Sequence, residues 1–154
     1  MNIERAIRFA VAAIFVAVPA LHAAPATDLP ATKESNLMKV RIDIDGTSVT
    51  ASFDDNRTAR DFVALLPLKL TLEDYGDKEK IGYLPRKLAT DDAPDGTKPS
   101  TGDVTYYAPW GNLAIFHGDF RYSTGLVKLG RIDAGIDVFR RRGPVNVTIS
   151  VAGD

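Results

Sequence analysis

The chain of 154 residues is 45% hydrophobic and 25% charged, proportions of one globular domain with enough apolar material for a core. A formal net charge of −1 argues against a nucleic-acid partner. The lack of any cysteine excludes a disulfide framework, a thiol nucleophile and a lipid-modified cysteine.

The first residues read as an export signal. Arg5 and Arg8 precede an apolar run from Phe9 to Leu21, which ends in the small residues Ala23, Ala24 and Ala26. The run is shorter than the roughly 20 residues of a membrane span. A retained membrane anchor is the competing reading, but Pro19 and the alanines suit a cleavage region better than a lasting helix. Residues 1–23 are therefore expected to leave as a cleaved signal, delivering about 130 residues to a periplasmic or secreted location with no stable membrane insertion. The charge becomes about −2 once Glu4, Arg5 and Arg8 are gone.

Residues 24–37 are polar with two prolines and read as a flexible leader, so the folded domain is expected over 38–154. Met38, Val40, Ile42 and Ile44 alternate with Lys39, Arg41, Asp43 and Asp45, the period of a strand with one buried face. Asp45-Gly46 supplies a tight turn, and Val49, Ala51 and Phe53 mark the returning strand. Ala59, Phe62, Val63 and Leu66 then fall at helical spacing. The pattern predicts a helix of about three turns, with Thr58 and Asp61 as a capping box and Pro67 as its stop.

Leu68, Leu70 and Leu72 predict a third strand, and Asp74 to Asp77 a polar turn. Ile81, Tyr83 and Leu84 form a short apolar piece closed by Pro85, and residues 89–103 read as a structureless loop, a lid or a binding loop. Residues 102–120 carry two apolar runs around Pro109, Trp110 and Gly111, a hairpin with aromatic side chains clustered at its turn. Gly125 to Ile132, with Leu126, Val127, Leu129 and Ile132, predicts another strand, and Ala134 to Arg142 a short helical turn with three arginines complementing its dipole. Val145, Val147, Ile149 and Val151 alternate cleanly in a last strand. Seven or eight short strands with one or two helices predict a mainly β protein, a closed antiparallel barrel with a two-sheet sandwich as the alternative.

Three stretches resemble a family of small bacterial cyclophilin-like proteins: LPLKLTLEDYGDKEKIGYLPRKL at 66–88, GDVTYYAPWGNLAIFHGDF at 102–120 and GLVKLGRIDAGID at 125–137. The resemblance implies a closed eight-stranded cyclophilin-like barrel with one or two capping helices. True cyclophilins isomerise proline bonds with an arginine that follows a phenylalanine-histidine pair, beside a glutamine and aromatic side chains. Here Phe116-His117 is followed by Gly118, and the chain has no glutamine. A replacement guanidinium would have to come from elsewhere in the chain, from Arg86 or Arg121.

Six residues are the ligand-binding candidates: Tyr83, Arg86, Tyr107, Trp110, Phe116 and His117. Trp110 at a proline-glycine turn suits either a platform that stacks on a proline ring or sugar, with Tyr107 and Phe116 beside it, or a core side chain capping the barrel; packing favours the cap. Tyr83 with Lys80, Arg86 and Lys87 offers a modest anion site or an exposed edge that discourages sheet stacking. His117 is the one imidazole left after signal removal, too few ligands for zinc, and no hydrolase turn surrounds it. Glu73, Asp74, Asp77 and Glu79 lack the glycine and terminal glutamate of a calcium loop and read as a solvated turn. No metal or cofactor is expected. The expected partner is a small ligand or a proline-containing peptide bound without strong catalysis, with weak peptidyl-prolyl isomerase activity or a purely structural role as alternatives.

Overall fold

The computed structural model describes residues 37–153, so the expected export signal and all of the expected leader except Leu37 lie outside the described residues. The polypeptide begins with β1 (Met38–Ile44) and β2 (Thr47–Phe53), a hairpin in the predicted register, Ile44 opposite Thr47 and Met38 opposite Phe53. Its two-residue turn places both Asp45 (φ 46°) and Gly46 (φ 84°) in the left-handed region, which the right-handed twist of a tight hairpin requires.

Helix α1 (Arg57–Val63) follows and is shorter than the three turns expected. Its cap is Asn56, whose side chain accepts from Ala59 N–H, rather than Thr58. Thr58 is buried and donates to the Ala89 carbonyl at 2.8 Å, and Asp61 pairs elsewhere, so the expected capping box does not form.

Strand β3 (Leu68–Tyr75) runs through the residues read as a turn and pairs with β4 (Glu79–Tyr83). Residues 89–103 are not structureless: they carry β5 (Gly96–Thr97), which pairs with β8 (Ser123–Thr124) as a small ribbon. The central hairpin is β6 (Asp103–Tyr107) with β7 (Asn112–Phe116). Strand β9 (Leu126–Ile132), a 3₁₀ helix (Ile136–Arg140) and β10 (Val145–Val151) complete the order.

Eight strands close in the order β1-β10-β3-β4-β7-β6-β9-β2, with β2 returning to β1, so no barrel edge is left open. Val40, Ile42, Phe53, Leu72, Tyr106 and Ile149 are among the inward side chains. Phe62 of α1 and Phe139 of the 3₁₀ helix join the same core, Phe62 stacked on Phe53 with centroids 5.4 Å apart. Each such ring contributes about 1.5–3 kcal/mol by leaving water.

Between β3 and β4 the residue pairing splits the carboxylates that the sequence grouped. Asp74 stands opposite Lys80 inside the barrel mouth, where Lys80 is 0% exposed and bonds both Asp74 Oδ1 at 2.6 Å and the Gly143 carbonyl at 2.5 Å. Tyr75 stands opposite Glu79 on the outer face. Glu73, Asp74 and Asp77 are exposed, in keeping with a solvated turn, while Asp74 also caps the buried Lys80 and Glu79 turns into the outer wall.

Candidate functional site

Most of the barrel's outer face meets water, but the outer face of β4, β7 and β6 does not. The pairings Glu79 with Phe116, Ile81 with Ala114, and Tyr107 with Asn112 place these side chains on that one face. Ala114, Phe116 and Leu126 form a second buried cluster there, with Ile81, Tyr107 and Phe120 packed against it. All five residues of β7 are buried because the inner face serves the barrel core and the outer face serves this cluster. The segment after β7 and the β5–β8 ribbon supply the cover.

A cleft of about 200 Å³ opens in this wall, lined by the rings of Tyr75, Tyr107, Trp110, Phe116 and Phe120. Trp110 meets Tyr75 and Tyr107 edge to face, each at 5.4 Å between centroids. Phe116 and Phe120 lie 6.1 Å apart, and the Arg121 guanidinium carbon sits 5.3 Å from the Phe120 centroid. The turn that carries Trp110 is held firmly. Gly111 N–H donates to the Tyr107 carbonyl at 2.9 Å, Leu84 N–H donates to the Gly111 carbonyl at 3.1 Å, and Gly111 adopts φ 73°. Ala108 N–H donates to the Gly125 carbonyl at 2.9 Å, which fastens the turn to the start of β9.

The expectation that Trp110 caps the core fails: it is 47% exposed. The core position beneath the turn is filled by Tyr106, fully buried, whose hydroxyl accepts from Leu88 N–H at 3.1 Å. Period two sends Tyr106 inward and Tyr107 outward, and the tight turn leaves Trp110 to complete the outer wall.

Four polar side chains join the rings: Glu79, Asn112, Arg121 and Ser123. Burial pushes the Glu79 carboxyl up to about 7, because no cation within ion-pair range among the described residues compensates its loss of water. Asn112 is 2% exposed; its amide donates to the Leu113 carbonyl at 3.2 Å, but its buried Oδ1 has no hydrogen-bond partner among the described residues. A buried acceptor left open costs about 1–3 kcal/mol.

Of the six candidates, the structure brings Tyr107, Trp110 and Phe116 together in this cleft. Tyr83 shares the outward face of β4 but is 61% exposed and stands beyond the cleft. Arg86 is a corrected candidate for the anion site, because Asp61 holds it through two bonds of 2.9 and 2.7 Å on the α1 side of the molecule. That pairing, with Ala89 N–H, brings the Asp61 carboxyl down to about 2 and raises the guanidinium further. Lys80, expected beside Tyr83, points the other way into the barrel mouth. His117 borders a separate hollow with Asp74, Asp77, Arg140 and Arg142, where burial and then the charges of Arg140 and Lys80 hold its imidazole below its usual range. Among the described residues no three His, Cys, Asp or Glu side chains gather at metal-binding range.

Tyr75 and Glu79 are the site residues that sequence reasoning missed, whereas Phe120, one of the aromatic side chains read around the central hairpin, does line the cleft. The signal was present: continuing the period of two through Leu70, Leu72 and Asp74 puts Tyr75 on the opposite face, and the return strand then sets Glu79 and Ile81 beside it.

No curated protein matches the chain. Among solved structures, the solution structure of the hypothetical protein AF2241 from Archaeoglobus fulgidus is similar, with a TM-score of 0.62 at 20% identity over 79% of this chain and 99% of that one. At that identity the likeness speaks to the fold. The model of the Cyclophilin-like family matches residues 42–150, which run from within β1 to the penultimate residue of β10 and take in the whole cleft. By the closed barrel and by that match, the chain belongs to the cyclophilin-like family.

Proposed function

We propose that the protein is an exported cyclophilin-like domain whose outer-wall cleft binds a small ligand or a peptide segment without strong catalysis. The observation that carries this reading is the half-exposed Trp110, held edge to face between Tyr75 and Tyr107 over a concavity that Asn112 also lines. A large ring kept at the surface by a rigid turn offers contact area at little ordering cost, which is the economy of a binding platform. Export rests on Arg5, Arg8 and the apolar run up to Leu21. Weak peptidyl-prolyl isomerase activity is the second reading, favoured by Arg121, which puts a guanidinium at the cleft although Gly118 follows Phe116-His117.

Trp110 emission tests binding directly. Proline-containing peptides and a panel of small metabolites are titrated while emission and melting temperature are followed. A saturable change that raises the melting temperature is expected, since a ligand selective for the folded state adds stability. Unchanged emission and melting throughout overturn the binding reading in favour of a structural role. A protease-coupled isomerisation assay separates the two active readings: rate enhancement lost in Arg121→Ala would establish the isomerase.

A further inference from the structure

We infer that the cleft is selective for a compact organic cation, a small alkylammonium group held among the rings of Tyr75, Tyr107, Trp110 and Phe116 with Glu79 as its counter-charge. The inference rests on the binding role proposed above and names the ligand class. Three observations meet here. First, five aromatic side chains line one cleft, and aromatic rings attract a cation through their quadrupoles with a strength that grows as water is removed. Second, Glu79 places a carboxylate in that wall, opposite Tyr75 on one side and Phe116 on the other, with no ion-pair or hydrogen-bond partner among the described residues. Third, one cation already rests on one of the rings: the Arg121 guanidinium lies over Phe120, showing that the wall accepts positive charge. Arg121 nevertheless does not come within ion-pair range of Glu79, so the carboxylate stays unspent. The volume of about 200 Å³ suits a headgroup rather than a drug-sized molecule, whose pockets start at roughly 300 Å³.

The chemistry also fixes a pH response. The other charged or titratable groups of the cleft are Tyr75 from β3, Tyr107 from β6 and Arg121 after β7, while the Lys78 side chain lies against Gly118 nearby. Burial puts the charge change of Glu79 near neutrality, at about 7. An ammonium requires the ionised form, so affinity rises as the pH climbs through about 7.

Tetramethylammonium chloride and its neutral isostere tert-butanol, each at matched sodium chloride, are titrated against the full chain with Trp110 emission as readout. We expect the cation to bind at least about tenfold more tightly than the alcohol, the range that cation–π attraction with a counter-charge allows. Glu79→Gln should erase most of that preference and flatten its rise between pH 6 and 8. Arg121→Gln, at the rim, removes a like charge and should tighten the cation. Equal binding of cation and alcohol, a preference that survives in Glu79→Gln, or weaker cation binding in Arg121→Gln would overturn the cation assignment. If proline peptides or metabolites still perturb Trp110 in that case, the cleft keeps its binding role; if no probe does, both readings fall. The unliganded emission maximum and melting temperature of each variant establish that it is folded.

Discussion

Two aromatic residues four positions apart take opposite places, Tyr106 in the core and Trp110 at the rim of the cleft. Tyr106 is fully buried and its hydroxyl satisfies the Leu88 N–H, so Tyr106→Phe keeps the ring but strands that donor. A loss of about 1–3 kcal/mol is expected in chemical denaturation, the cost of a buried unpaired backbone group. Trp110 is the converse. Its ring is half in water, so Trp110→Ala should cost only about 1–2 kcal/mol, below the roughly 3–5 kcal/mol of a core ring, while ligand binding at the cleft is lost. A larger destabilisation, with binding retained on another readout such as melting-temperature shifts, would return Trp110 to the core.

At the scale of elements, the β5–β8 ribbon helps turn one side of the barrel wall into a cleft. Gly96 of β5 lies so close to β8 that a Cβ there would stand 2.3 Å from the Ser123 carbonyl oxygen and 2.9 Å from the Thr124 Cα. Backbone cannot yield as a side chain can, so Gly96→Ala must push β8 away, and Ser123 borders the cleft. The barrel ladders do not pass through this ribbon. Gly96→Ala is therefore expected to weaken binding by about tenfold or more, whereas its melting temperature should fall less than that of Gly130→Ala. In the latter a Cβ would meet the Ser52 carbonyl at 2.3 Å and Phe53 Cα at 2.6 Å within the barrel itself. The ribbon was invisible in the sequence because two-residue strands have no period to detect, and the segment reads as prolines and polar residues. The first hairpin was legible because Asp45-Gly46 and two runs of alternation agree, and β10 because its alternation is unbroken. β3 and β4 were cut short in the reading because Asp74 and Lys80 occupy inward positions, where polar side chains are unexpected. Their pairing with each other and with Gly143 is a tertiary fact. That same truncation hid Tyr75 and Glu79, and Arg86 was misplaced because nothing in the linear order tells that Asp61 lies within its reach.

For the whole molecule, the carboxylates fall into two groups with opposite consequences for pH. Asp61 is brought down to about 2, chiefly by its bonds from Arg86 and Ala89. Its contribution is present above the usual value of 3.8 and lost as acid takes the pH down through about 2. Asp74 and Asp119 are lowered in the same direction by Lys80 and by Thr101. Glu79 runs the other way. Its folded form holds a proton up to about 7 against a usual 4.5, so between those values the folded state binds more protons than the unfolded one and stability falls as the pH rises. His117 opposes this slope below its usual 6.5, because a folded imidazole with a lowered value loses stability as acid protonates it. A melting curve of the native protein therefore mixes the two, and the difference between native and Glu79→Gln isolates one. Across pH 4.5 to 8 the native protein should lose ground steadily relative to Glu79→Gln, with the steepest change before about pH 7 and little further change above pH 8, since His117 is common to both. A difference that stays flat across this range would mean that Glu79 is not desolvated in the cleft. Where the difference follows this course, the protein gives up folding stability at neutral pH to keep an ionised carboxylate among aromatic rings, a sacrifice that packing alone does not call for and a binding site does.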